Sequence, residues 1–302
     1  MLTINIPVYN IDARPLVLKL AEQVQKLNET AEIRVYDDGS EKSVKKMNRE
    51  LQSDSDIIYT ELKRNLGRSA IRNKMAEDSK FEYLLFIDTD SKIVSENYLQ
   101  IYLENLQNHR IICGGTVYSS TPPADSSKLL RWHYGSKREA ISAAARNSKK
   151  GFIITSNNFC IEKELFLETR FRENIGKYGH EDTLLGFDLF KKGALPFHIE
   201  NPVEHTGLET SEAFLAKSRA ALENLYFISE NIVKDNPEFN GQVNFLNRYN
   251  KLTSFVPEMF LRSFFISFGE KMEKNLTGRN PGLFWFDFYK LCYYSKIKNR
   301  KP

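Results

Sequence analysis

The sequence predicts an α/β protein with a mainly parallel, doubly wound sheet and a helical C-terminal extension, and three observations carry that prediction. Over the first 120 residues short β-rich runs alternate with longer amphipathic stretches, the rhythm of βαβ units. One run, Leu84-Leu85-Phe86-Ile87, is apolar throughout, as a strand buried on both faces must be. The residues that follow each run are polar, and ligands of open α/β sheets bind beyond the carboxyl ends of the strands.

The elements follow in order. Strands are expected at 2–8, 31–37, 56–62 and 82–88, with helices at 14–28, 41–52 and 67–79. The first helix shows the spacing through Leu16, Leu18, Leu20, Val24 and Leu27 among polar partners. Thr121-Pro122-Pro123 breaks the pattern, and a charged helix is expected from about Ser126 to Asn147. Further strands are expected at 152–161 and 196–205, with a helix starting near Glu181 between them. Beyond Gly207 the chain reads as helical, divided by Pro257 and Pro281. The expected domains are therefore a catalytic one at 1–207, made of a donor half (1–120) and an acceptor half (121–207), and a helical extension at 208–302.

With 302 residues, 41% hydrophobic and 27% charged, the chain has the composition of a folded, soluble-type protein. A net charge of +4 is too small to indicate nucleic-acid binding. Cys113, Cys160 and Cys292 lack the spacing of a disulfide framework or a zinc site and read as free thiols of a reducing compartment. Neither an export signal nor a run of about 18 apolar residues is apparent, so the expected location is the cytoplasm, at the inner face of the membrane. The membrane enters through the C-terminal stretch. Phe264, Phe265, Phe268, Phe284, Trp285, Phe286, Phe288, Tyr289, Tyr293 and Tyr294 precede Lys296, Lys298, Arg300 and Lys301. That composition suits either a peripheral membrane surface or a helical subdomain docking its aromatic face on a core.

Chemistry concentrates at the strand ends. Asp88-Thr89-Asp90 leaves the buried strand with two carboxylates one residue apart, a pair that a divalent cation such as Mg²⁺ or Mn²⁺ neutralises together with substrate phosphates. A solvated loop or a helix cap is the alternative. Asp37-Asp38-Gly39-Ser40 is good turn chemistry and equally a place for a carboxylate to accept a hydrogen bond from a base or ribose. Arg68 and Arg72, four apart after Asn65-Leu66-Gly67, suit either phosphate and base edges or surface ion pairs.

The ordered set Ile6-Pro7-Val8-Tyr9-Asn10, Asp37-Asp38-Gly39-Ser40, Asn65-Leu66-Gly67 with Ala70-Ile71-Arg72-Asn73, and Asp88-Thr89-Asp90 resembles the family 2 inverting glycosyltransferases. These have the nucleotide-diphospho-sugar transferase fold called GT-A. The resemblance extends to Leu130-Arg131-Trp132-His133-Tyr134-Gly135, Ser156-Asn157-Asn158-Phe159-Cys160-Ile161 and Gly179-His180-Glu181-Asp182.

The resemblance implies a hexosyl- or N-acetylhexosaminyl-transferase of polysaccharide biosynthesis. It would move a sugar from a nucleotide-diphosphate donor, UDP above all, to a glycan or lipid-linked hydroxyl. It implies Asp182 as catalytic base beside Glu181. It places Pro7, Tyr9, Asn10, Asp37, Asp38, Arg68, Arg72, Asp88 and Thr89 around the donor nucleotide, and Asn158 at the donor sugar. Asp90 becomes a metal ligand, joined by His205, which ends a strand; a mixed carboxylate and imidazole set suits Mn²⁺ somewhat better than Mg²⁺. Tyr178, Gly179 and His180 depart from the aromatic flanks common beside the E-D pair. Two rivals share the sheet: a nucleotidyltransferase, which would show a Gly-rich basic signature absent from 4–14, and a non-catalytic sugar-binding protein, against which the four acids Asp37, Asp88, Asp90 and Asp182 argue.

Overall fold

The computed structural model describes residues 1–54, 56–149, 151–175 and 178–299. The chain begins β1 (Leu2–Val8), α1 (Arg14–Val24), β2 (Ala31–Asp37), α2 (Lys42–Asn48), β3 (Ile57–Glu61), α3 (Arg68–Asp78) and β4 (Tyr83–Ile87). It continues with β5 (Ser91–Ile93), α4 (Tyr98–Leu106), β6 (Ile111–Cys113), β7 (Thr116–Val117), α5 (Leu129–Tyr134), α6 (Ala143–Asn147), β8 (Asn158–Glu162) and α7 (Lys163–Thr169). Next come α8 (Glu181–Lys191), β9 (Phe197–His198), β10 (Val203–His205) and α9 (Ser211–Phe227). The chain ends with α10 (Pro237–Gln242), α11 (Asn244–Thr253), α12 (Glu258–Leu276) and α13 (Leu283–Lys298).

The main sheet has the order β3-β2-β1-β4-β8-β6-β9. The first four of these strands are mutually parallel, and β8 runs antiparallel to both β4 and β6. A second sheet, β5-β10-β7, lies across the chain ends that leave β4 and β6. The alternation of β4 explains its uninterrupted apolar run. Leu85 and Ile87 join one core cluster with Ile4, Ile6 and Val8, whereas Leu84 and Phe86 join another with Phe159 and Phe166. A strand with a core on each face has no position left for a polar side chain.

Two compact units emerge. The first comprises 1–118, 140–173 and 182–207; the second comprises 119–139, 174–181 and the chain from Leu208 on. The helix expected from Ser126 to Asn147 is broken between these units. After α5 a π-type turn runs over Gly135–Glu139, and α6 starts afresh with Ser142 Oγ accepting from Ala145 N.

Two strand expectations are corrected. Residues 152–157 carry no ladder although Phe152 and Ile154 are buried, because their apolar side chains pack as a loop, Phe152 against Phe187 of α8. The stretch 196–205 divides into β9 and β10, which belong to different sheets. Pro202, without an N–H, and Asn201, whose Nδ2 donates to Tyr98 O, occupy the corner between them.

In the second unit α9, α12 and α13 pack through aromatic residues. Tyr134, Phe214 and Phe286 bring α5, α9 and α13 together at ring separations of 5.3–5.4 Å. Arg219 and Tyr289 both reach Glu273, linking α9, α13 and α12. All three cysteines are free and buried. Among the described residues no helix is long and apolar enough to cross a membrane.

Candidate active site

The site residues sit where β1, β2 and β4 end. β1 and β2 are paired to their last residues, Val8 opposite Asp37, which sets the two following loops side by side. Asn10, with φ of 56°, donates its N–H to Ser40 Oγ, and its Oδ1 accepts from Glu41 N. Gly39 allows this crossing: its φ is +80°, and a Cβ there would lie 2.6 Å from Asn65 N. Tyr9 is half exposed beside it.

The two acids of the second loop are occupied by the protein. Asp37 is fully buried; its Oδ1 accepts from Ser40 N at 2.7 Å and lies 3.8 Å from Lys45 Nζ. Asp38 accepts from Leu66 N and Gly67 N, at 2.7 and 3.1 Å, and so anchors the loop that starts α3. Burial raises the Asp38 carboxyl, against the pull of those two N–H groups. Asp37 thus shapes the turn after β2, its carboxylate directed to Ser40 N and toward Lys45.

At the end of β4 the two aspartates are treated differently. Asp88 is ion-paired to Arg72 Nη2, and Arg68 Nη2 stands 3.5 Å from its other oxygen. Burial works to raise the Asp88 carboxyl, and the Arg72 and Arg68 guanidiniums outweigh it and hold it below the usual carboxylate range. The positive charge that answers Asp88 thus comes from α3. Arg72 is itself buried, donates to Arg68 O as well, and lies over Phe171. Arg72 thus supports the half-buried Asp88 from within the fold. Arg68 is more than two-fifths exposed. Thr89 Oγ1 donates to the Pro7 carbonyl, tying β4 to β1.

Asp90 meets His205 instead. The antiparallel register of β10 on β5 sets His205 opposite Ser91, and Nδ1 comes to 3.6 Å from Asp90 Oδ2. The Asp90 carbonyl accepts from both Thr206 N and Thr206 Oγ1, and a Cβ on Gly207 would sit 2.5 Å from Asp90 Oδ2. His205 Nε2 is buried without a hydrogen-bond partner. A separation of 3.6 Å is too long for a hydrogen bond, so Nδ1 meets Asp90 only as an ion-pair neighbour while Nε2 has no partner.

That donor set fits a divalent cation. Among the described residues no three His, Cys, Asp or Glu side chains gather as a metal cluster. Two protein ligands are nevertheless what a cation needs when a substrate's phosphates supply others.

Asn158 lies in the interior. It is wholly buried, its Nδ2 donates to Gly115 O and Asn201 O, and its Oδ1 accepts from the hydroxyls of Tyr98 and Tyr102, both at 2.6 Å. All four hydrogen-bonding positions of the amide are filled, so it holds α4, the Gly115 carbonyl before β7 and the 201 corner together. Its neighbour Asn157, half-buried, donates to Thr116 Oγ1 and through its carbonyl accepts from Asp88 N.

Glu181 and Asp182 open α8. Glu181 is buried; Asp182 is half-buried, and its Oδ1 accepts from Thr183 N at 2.7 Å. α8 rests on Phe152 through Phe187 and Phe190, ring centroids 5.4 and 6.0 Å apart. The segment that Phe152 opens ends at Asn157, whose carbonyl accepts from Asp88 N.

Two supporting residues escaped sequence reasoning. Asn73 was seen only as part of a motif; its amide exchanges two hydrogen bonds with Phe171 and also donates to Glu173. Arg146 lay in an unremarkable basic stretch. Its guanidinium is donated to the carbonyls of Cys113, Gly114 and Ile199 and to His198 Nδ1, tying β6 to β9. No spacing in the sequence distinguishes it from a surface arginine.

A parallel sheet whose strand ends carry these acids, with a closing antiparallel strand and C-terminal helices, defines a GT-A type glycosyltransferase. The glycosyl transferase family 2 model matches residues 3–167, over half of the chain. The protein belongs to that family. An uncharacterised glycosyltransferase of Bacillus subtilis, YfnE, is 27% identical over an alignment of 248 residues, and the match covers 67% of this chain and 63% of that relative. The match thus spans less than two thirds of the relative's length. Among solved structures, the mannosyltransferase PcManGT of Pyrobaculum calidifontis, in complex with GDP-Man and Mn²⁺, superposes with a TM-score of 0.63 at 13% identity, covering 99% of this chain and 86% of that one. TarS of S. aureus gives 0.52 at 15% identity, covering 87% and 47%. At such identities the likeness is one of fold.

Proposed function

We propose that this glycosyltransferase moves a sugar, with inversion, from a nucleoside-diphosphate donor to an acceptor hydroxyl. The observation that carries the reading is the approach of His205 Nδ1 to Asp90, with His205 Nε2 buried and unpartnered, at the strand end where the family places its donor. Asp90 and His205 would hold Mn²⁺ or Mg²⁺, which when bound neutralises the diphosphate as it leaves. The structural neighbour solved with GDP-Man and Mn²⁺ supports both donor class and cation.

Arg68, exposed beside Asp88, would reach the diphosphate or base, with Tyr9 and Asn10 flanking it. Asp88, held ionised by Arg72, would accept from the ribose. Asp182 takes the acceptor's proton while the acceptor oxygen bonds to the anomeric carbon and the bond to the diphosphate oxygen breaks. One displacement gives one inversion. A screen of UDP- and GDP-sugars with Mn²⁺ or Mg²⁺, reading released nucleoside diphosphate, tests the reading; no release from any donor in the presence of varied glycan and lipid-linked acceptors would count against it.

A further inference from the structure

The aromatic C-terminal stretch divides into two populations. Phe265, Phe286, Tyr289, Tyr293 and Tyr294 are buried core of the second unit. Phe260, Phe268, Phe284 and Trp285 are 62, 42, 73 and 43% exposed. On α12, Phe260, Phe264 and Phe268 recur every four residues and so form one row. The row continues across to α13, with the Phe264 ring centroid 4.8 Å from that of Phe268 and, edge-on, 5.1 Å from that of Phe288, and Phe284 5.7 Å from Trp285. This is one contiguous aromatic flank, larger than the scattered apolar residues ordinary on a surface.

The charge around it is lopsided. Three of the four acids of these helices are engaged: Glu258 with Lys298, Glu273 with Arg219 and Asp287 with Arg138. Lys271 and Lys274 are exposed and, among the described residues, in no ion pair; the Lys271 ammonium lies 5.6 Å from the Phe268 ring centroid. Lysines 296 and 298, at the basic chain end, are turned to Phe265 and Glu258, and Arg300 and Lys301 lie outside the described residues.

We propose that this flank of α12 and α13 is a seat for an anionic lipid surface, with the rings entering the headgroup boundary and Lys271 and Lys274 meeting the phosphates. Amphipathic helices bind such surfaces through this combination of apolar area and cationic rim. A second copy of the chain is the poorer occupant, because it would bring the same unpaired lysines against each other. No spanning segment is required. The inference stands independently of the transferase reading.

Co-sedimentation of the full chain with vesicles of phosphatidylcholine, alone or mixed with phosphatidylglycerol, tests it. Binding is expected only with the anionic lipid and should weaken as salt rises. Lys271→Gln with Lys274→Gln should lower the partition coefficient about 30-fold. Phe284→Ser with Trp285→Ser should remove binding while leaving the melting temperature near the parent's, since both side chains are exposed. Absence of sedimentation at low salt, binding unchanged in both double variants, or a dimer in analytical ultracentrifugation that the aromatic variant abolishes would each overturn the proposal. Nucleoside-diphosphate release, read without vesicles, reports separately on the transferase.

Discussion

Asp90 and His205 are far apart in the chain, yet the β5–β10 register sets Nδ1 3.6 Å from Oδ2. The gap is too wide for a hydrogen bond, and Asp90 and His205 are the residues that would hold a divalent cation there. Nucleoside-diphosphate affinity measured calorimetrically should therefore depend on Mn²⁺ or Mg²⁺, and Asp90→Ala or His205→Ala should weaken it at least 10-fold, roughly the loss of one metal ligand's support. Equal affinity with metal and with excess chelator would remove the cation from the mechanism.

Asp182→Asn keeps the shape of the carboxylate and removes its basicity. Transfer should fall by about 10²–10⁴-fold with nucleotide affinity nearly unchanged, the signature of a lost general base. NMR of the product's anomeric configuration gives the second readout. Near-normal turnover, or a retained configuration, rejects the single-displacement scheme.

Arg68 and Arg72 should separate cleanly. Arg72→Met removes the buried guanidinium paired with the half-buried Asp88 and should cost about 1.5–3 kcal/mol in urea unfolding, the range for a hydrogen bond to a charged group. Arg68→Ala, at an exposed side chain, should lower donor affinity with little change in stability. A stable Arg72→Met protein would contradict the supporting role given to that residue.

Asn158→Ala should behave as a core mutation. It leaves the buried hydroxyls of Tyr98 and Tyr102 and two carbonyls without their partner, a loss of about 3 kcal/mol or more. A variant of unaltered stability with raised donor KM would restore the sugar-binding role.

His198 supplies a pH dependence. Burial first, then the Arg146 guanidinium that donates to its Nδ1, lowers it from 6.5 to about 4. An unfolded imidazole takes its proton near 6.5, so between those values the unfolded chain binds more protons and stability falls as pH falls. His198→Asn should flatten the loss of melting temperature over that window. Parallel curves for parent and variant would show that His198 does not report the transition.

The sequence by itself determined the α/β class, the first four strands, the C-terminal helices and the family, because each is written in local terms. Strand alternation, helix spacing and the turn chemistry of Asp37-Asp38-Gly39-Ser40 are properties of neighbours in the chain. Tertiary structure alone decided how the polar residues are used. Asp88 and Asp90 look equivalent in sequence, and become different because Arg72 of α3 reaches one and His205 of β10 faces the other. Asn157 and Asn158 are adjacent, yet the pleat sends the second into a pocket of tyrosine hydroxyls and carbonyls. Arg146 and the exposed row of α12 were likewise illegible, since burial of a guanidinium or exposure of a phenyl ring depends on which partners the fold brings within a few ångströms.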